Sequence, residues 1–239
     1  MILVEIIGEP AVGKTHLSLT FPKPFIFDTT PRKEAEIVAY KILGAEAKKR
    51  YCWVQSYADL ITKLKQVLER DDVSTVVIDT GADLQGMAVD YEVERKKREK
   101  LLPFEYGRIR EMVDTDIIEA VSLKNKNLVM TAQMDDEYGP DGRRTGRRIP
   151  KGYKRLAFQA DMRIFLTLGA AELEIAPGGT AFAVTPLPRS EKPVRKAAII
   201  KNRFVDMAET GYKVLEGNIT ANDLKNLIPK EILDMVWVE

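Results

Sequence analysis

Cysteine and histidine are almost absent from this chain of 239 residues, which holds one of each. Cys52 standing alone excludes disulfide staples and a cysteine-based zinc site, and His16 standing alone excludes a histidine metal cluster. Long apolar runs are also missing. Ile2 to Ile7 and Val76 to Ile78 fall far short of the roughly 20 residues that cross a bilayer, and the opening residues lack the charged and apolar regions of a secretory signal. No membrane association is expected, and the cysteine usage fits a reducing, cytoplasmic compartment. Excess charge of one sign is absent too, with 37 Lys and Arg against 36 Asp and Glu.

That balance hides a local concentration. From Gly139 to Arg155 seven cations, Arg143, Arg144, Arg147, Arg148, Lys151, Lys154 and Arg155, face one acid, Asp141. A focused basic segment in a neutral chain is the footprint of a phosphate-bearing partner. Gly142, Gly146, Pro150 and Gly152 interrupt it, which predicts a mobile loop rather than a helix. Tyr138, Tyr153 and Phe158 flank it and offer stacking faces for nucleobases.

The first half alternates short apolar runs with helical periodicity, the pattern of a parallel sheet covered by helices. Strands are predicted at Ile2 to Ile7, Phe25 to Phe27, Tyr51 to Val54, Thr75 to Ile78 and Leu128 to Thr131. Between them helices are predicted at Lys14 to Leu19, about Lys33 to Lys48, Tyr57 to Arg70, Asp83 to Lys100 and Glu105 to Leu123, with Glu92 to Lys100 as a solvated face. Beyond the basic segment the texture changes to strands at Met162 to Leu168, Glu172 to Ala176, Ala181 to Val184 and Arg195 to Ile200. Pro177, Gly178 and Gly179 turn the middle pair into a hairpin. Thr220 and Asp223 cap a helix near Ala221, and Pro229 opens another. The reading is an α/β fold: a mostly parallel sheet flanked by helices with an antiparallel hairpin extension at one edge. Residues 1–207 form the core and 208–239 a small helical appendage.

Gly8-Glu9-Pro10-Ala11-Val12-Gly13-Lys14-Thr15 matches the phosphate-binding loop G-x-x-x-x-G-K-[ST], and it follows a buried strand and precedes a helix as that motif requires. The glycines let the backbone wrap closely and aim N–H groups at phosphate oxygens. Lys14 would reach the β and γ phosphates of ATP and Thr15 would hold Mg²⁺. A second magnesium ligand is expected from an aspartate ending a neighbouring buried strand. Asp79, after Val76-Val77-Ile78, meets that description, and Asp28, after Phe25-Ile26-Phe27, ranks second. The cofactor-binding set is thus Gly8 through Thr15 with His16 and Asp79, and the metal ligands are Thr15 and Asp79. Cys52 and Trp53 read as packing residues of a strand.

The ordered set Gly8 to Thr15, Phe25 to Asp28, Val76 to Thr80, Val129 to Gln133 and Ile199 to Arg203 resembles the RecA-like P-loop ATPases of recombination. It is most similar to the short phage and archaeal-virus type proposed as single-strand annealing ATPases, over about residues 1–205. The resemblance implies an ATPase that binds single-stranded DNA and assembles as a homo-oligomer with ATP at the subunit interface. It implies a γ-phosphate sensor at Gln133 and a DNA loop in the residues that follow, and it assigns Lys201 and Arg203 to a neighbour's ATP across that interface. Thr30 stands where the family has its water-activating glutamate, so Glu34 or Glu36 would take that role or hydrolysis would be slow. The first strand opens the sequence directly, without the extension many family members use to polymerise, so long filaments are not expected.

Two other readings stay open. A nucleotide or small-molecule kinase would use Arg143 to Arg148 as a lid over the phosphates, although no acceptor pocket is legible. A non-hydrolysing regulator would use ATP as a switch, which Thr30 allows.

Overall fold

The computed structural model describes residues 1–153, 155–168, 171–175, 182–186, 194–207 and 213–239. Lys154 and the turn expected at Pro177 to Gly179 lie outside them. Five strands come from the expected apolar runs: β1 (Leu3–Gly8), β2 (Pro24–Asp28), β3 (Tyr51–Trp53), β4 (Thr75–Asp79) and β5 (Asn127–Ala132). They are followed by β6 (Met134–Tyr138), β7 (Arg144–Pro150), β8 (Met162–Leu168), β9 (Ala171–Ile175), β10 (Phe182–Pro186), β11 (Arg195–Asn202) and β12 (Lys213–Glu216).

Eight strands form one sheet in the order β12-β11-β8-β1-β5-β4-β2-β3, in which every pairing from β8 to β3 is parallel and β11 and β12 are antiparallel additions. Parallel strands are covered on both faces, which is why β1 and β4 are buried at every position. Alternation sends Leu3, Val76 and Ile78 to one face, against helices Tyr57–Leu68, Gly81–Arg95 and Tyr106–Val113. Val4, Ile6 and Val77 go to the other, against helices Lys14–Ser18, Glu36–Leu43 and Ala221–Lys225. The fold is that of a P-loop NTPase. Among the described residues no helix is long and apolar enough to cross a membrane.

Local signals explain the boundaries. The Ser56 hydroxyl accepts from the Asp59 N–H at 3.2 Å to start the helix at Tyr57, and Thr80 starts the next by accepting from Asp83. Thr220 and Asp223 form a reciprocal cap before Ala221. Residues 213–239 add β12 to the sheet edge and bring Trp237 to stack on Phe21 at 5.3 Å.

Three expectations differ from the structure. The mixed-charge run is not a solvated face throughout: Glu92 and Glu105 are buried and draw in Arg95, Lys96, Arg98 and Arg108. The helix expected through Leu123 contains a π turn at Asp114–Glu119, where Asp114 accepts from Tyr153, Arg155 and Gln159. The basic segment is not a loop. Its residues 144–150 form β7, paired antiparallel with β6 and joined to β10 and β9 in a second, four-stranded sheet.

Candidate functional site

The turn from β1 into the helix Lys14–Ser18 crosses the carboxyl edge of the main sheet, where β4 and β5 also end. Gly13 turns it with φ at +97°, a left-handed conformation that side chains disfavour. The N–H groups of Ala11 and Gly13 find no acceptor among the described residues. Lys14 is only 7% exposed, and its Nζ donates to the carbonyls of Gly8 at 2.9 Å and Glu9 at 2.8 Å. Burial holds its pKa below the ordinary lysine range, against the opposing pull of Asp79, Glu9 and Glu34.

Asp79 ends β4 at 4% exposure. Its Oδ2 accepts from the Thr15 hydroxyl at 2.5 Å and its Oδ1 accepts from the Thr131 hydroxyl. Burial pushes its pKa up, more than those two hydroxyls and Lys14 pull it down. A desolvated carboxylate beside a hydroxyl, under backbone N–H groups that lack acceptors, fits Mg²⁺ shared with a nucleotide's phosphates, because that ion takes one or two protein oxygens and keeps the rest for phosphate and water. Thr15 and Asp79 would hold it, and it would neutralise charge on the phosphate chain.

Asp28, ranked second from its sequence position, does other work. Fully buried, it accepts from the Thr30 N–H at 2.9 Å and hydroxyl at 2.6 Å through Oδ1, and from the Ala35 N–H and Tyr51 hydroxyl, both at 3.0 Å, through Oδ2. With its oxygens committed to that turn it is a structural anchor, not a metal ligand. Thr30 belongs to the same anchor: its hydroxyl also accepts from the Glu34 N–H at 2.9 Å. Glu34 itself is exposed and close enough for its charge to act on Lys14, whereas the charge of Glu36 bears on Tyr51 instead.

Gln133 links β5 to β6, the step from the main sheet to the second, and its carbonyl accepts from the Lys151 N–H at 2.7 Å. His16 is half-buried, and its Nδ1 has no hydrogen-bond partner among the described residues. Burial, then the charge of Arg195, holds its pKa below the usual histidine value.

The basic residues do not form one free surface. Arg148 ion-pairs with Glu9 of the phosphate loop at 3.0 Å and with Asp136 at 3.5 Å; Arg144 pairs with Asp136 at 3.2 Å, and Arg155 with Asp114 at 2.6 Å. Arg143 stands 3.8 Å from Asp141. Arg143, Arg144, Arg147, Lys151 and Arg155 are exposed. Of the flanking aromatics, Tyr153 is 6% exposed and packed, its hydroxyl donating to Asp114, so it presents no stacking face; Phe158 at 75% does. The end of this hairpin is pressed against the Asp79 segment: a methyl group at Gly152 would meet backbone atoms of Ala82 at 2.8 Å.

Lys201 and Arg203 lie at the other end of the molecule. Lys201 pairs with Arg163 near the start of β8, at the amino edge of the parallel strands, about 20 Å along β11 from the carboxyl edge where the phosphate loop lies. Lys201 donates to the Phe158 carbonyl at 2.8 Å, and Arg203 to Asp161 at 2.7 Å and the Gln159 carbonyl at 3.1 Å.

No curated protein matches the chain significantly. A family model described as AAA domain matches residues 2–186, from β1 through β10, and so takes in the phosphate loop, Asp79 and the basic hairpin. With that match added to a phosphate loop, a buried strand-end aspartate and a mostly parallel sheet, the chain belongs to the AAA domain family of P-loop ATPases.

Proposed function

We propose that the chain is a magnesium-dependent ATPase that acts on single-stranded DNA in recombination or annealing, in the manner of the short RecA-like ATPases of phages and archaeal viruses. The observation that supports this most is the ion pair between Arg148 of the basic hairpin and Glu9 of the phosphate loop. Any change in the loop on binding or hydrolysing nucleotide acts on the hairpin through it, and DNA held by the hairpin acts on the loop. In this reading Gln133, at the root of the hairpin, senses the γ-phosphate, and Glu34 orients the attacking water. Lys201 and Arg203 are too far from their own phosphate loop to serve it, which supports a role at a neighbour's nucleotide in a homo-oligomer.

The DNA contact rests on Arg143, Arg144, Arg147 and Lys151, which are exposed and leave the phosphate loop untouched. With about three phosphates met per subunit, log affinity should fall against log salt with a slope near −2, about a twentyfold loss between roughly 50 and 200 mM. Replacing Arg143, Arg144 and Arg147 with Ala should flatten that slope and leave ATP affinity unchanged. The position of Arg148 beside Glu9 also suits a kinase lid, and adding Arg148→Ala to that variant separates the readings. A kinase would lose ATP affinity or turnover and show no salt-dependent oligonucleotide binding.

The interface role has its own test. Lys14→Ala and the double variant Lys201→Ala/Arg203→Ala, each inactive alone, should recover about a quarter of wild-type ATPase when mixed equally, since a random interface pairs an intact loop with intact cations at that frequency. No recovery between oligomers that exchange subunits would rule out action across the interface.

A further inference from the structure

Arg195 opens β11, and because β11 runs antiparallel to β8 its first residue is delivered to the carboxyl edge of the parallel strands, opposite Leu168. Leu166, two residues earlier on β8, pairs with Gly8. The guanidinium consequently rests on the phosphate loop. A methyl group built at Gly13 would meet Arg195 Nη2 at 2.5 Å, Cζ at 2.6 Å and Nε at 2.8 Å, so glycine there makes room for the arginine as well as for the turn.

Among the described residues the arginine has no partner to explain its position. Its Nε is buried with no hydrogen-bond partner among the described residues, and its guanidinium makes no ion pair with any of them. Arg148, the other arginine beside the loop, is paired with Glu9 and Asp136. A cation packed against a loop with a buried Nε–H unmet by any described residue is costly unless an anion arrives to meet it. The planar fork of a guanidinium matches two phosphate oxygens at once. The Nδ1 of His16, without a hydrogen-bond partner among the described residues, borders the same spot, and the charge of Arg195 acts on that ring.

We infer that Arg195 is a ligand of the nucleotide's phosphate chain, supplied by the same subunit that supplies Lys14. The inference deepens the phosphate-loop reading and rests on it. It gives the loop a second cation, which reads phosphate by geometry where Lys14 acts as a point charge.

Binding of ATP and of inorganic tripolyphosphate, each with Mg²⁺, tests it by calorimetry. Tripolyphosphate has no base or ribose, so it isolates the phosphate contact. Arg195→Met should weaken both ligands about thirtyfold, and Arg195→Lys, which keeps the charge and loses the fork, about fivefold. Thermal unfolding checks that each variant is folded, and Arg195→Lys decides the matter if Arg195→Met is not. Unchanged tripolyphosphate affinity in a folded variant overturns the inference, including the case where ATP alone weakens, which would make Arg195 a contact for the base. Lys14→Ala is the control. If it weakens both ligands while the Arg195 variants do not, the phosphate-loop reading stands and the inference fails. If the wild-type chain binds neither ligand, both fail together.

Discussion

Lys14→Ala should lower ATP hydrolysis by about a hundredfold to a thousandfold, the usual loss when a preorganised donor to a developing phosphoryl charge is removed. A surface loop lysine could be deleted without consequence for the fold, but Lys14 is not one: it is buried and donates to the Gly8 and Glu9 carbonyls. Deletion leaves those carbonyls short of a donor, at about 1 kcal/mol each if they stay dry. It also relieves a desolvated ammonium, whose depressed pKa shows that burial already works against the charge. The two effects offset, so the melting temperature should move by only a few degrees, on the order of 1 kcal/mol for a chain of this size. Phosphate release and thermal unfolding measured on one preparation check both halves. Hydrolysis at the wild-type rate in the folded variant would remove Lys14 from the site.

Asp79→Asn should separate function from stability in opposite directions. Hydrolysis should fall by about a hundredfold or more with the loss of the carboxylate proposed to hold Mg²⁺. The fold, by contrast, should gain. Because burial raises the Asp79 pKa above its ordinary 3.8, the folded state binds a proton that the unfolded state has already released. Asp79 therefore contributes a stability to the metal-free wild type that is lost as pH rises from about 3.8 through the raised value and stays lost above it. An amide can still meet the Thr15 and Thr131 hydroxyls and carries no charge to desolvate, so Asp79→Asn should abolish that decline and melt higher than the metal-free wild type at neutral pH. Denaturant titrations between about pH 4 and 8 give the comparison. A variant that unfolds more readily than the wild type across this range would show that the carboxylate is a net stabiliser of the fold.

What could be read from the sequence follows physical range. The strands around the site are short apolar runs buried on both faces, so Leu3–Gly8 and Thr75–Asp79 announce themselves, and the phosphate loop is a contiguous motif with a mechanism at each position. Contacts between distant segments were not legible in the same way. Asp28 resembles Asp79 in its strand-end position, but only the fold brings the turn at Thr30 to Ala35 and the Tyr51 hydroxyl onto its carboxylate. The basic segment looked more isolated than it is because the acids that neutralise it precede it, on β6, and a window opening at Gly139 leaves out Asp135, Asp136 and Glu137. Over residues 134–155 seven cations meet four acids. Met134–Tyr138 holds three consecutive acids and no apolar alternation, so nothing local marked it as a strand. Arg195 gave no sign at all: it lies outside every motif, and only the antiparallel return of β11 sets it on Gly13.

The coupling of ATP hydrolysis to single-stranded DNA is the central claim, and the steady-state ATPase rate with and without a single-stranded oligonucleotide at low salt tests it most directly. The rate of the wild-type chain should rise with oligonucleotide and return to its basal value as salt is raised, and the Arg143→Ala/Arg144→Ala/Arg147→Ala variant should keep the basal rate without the rise. A wild-type rate that is the same with and without oligonucleotide, at an oligonucleotide concentration that saturates binding, would contradict it.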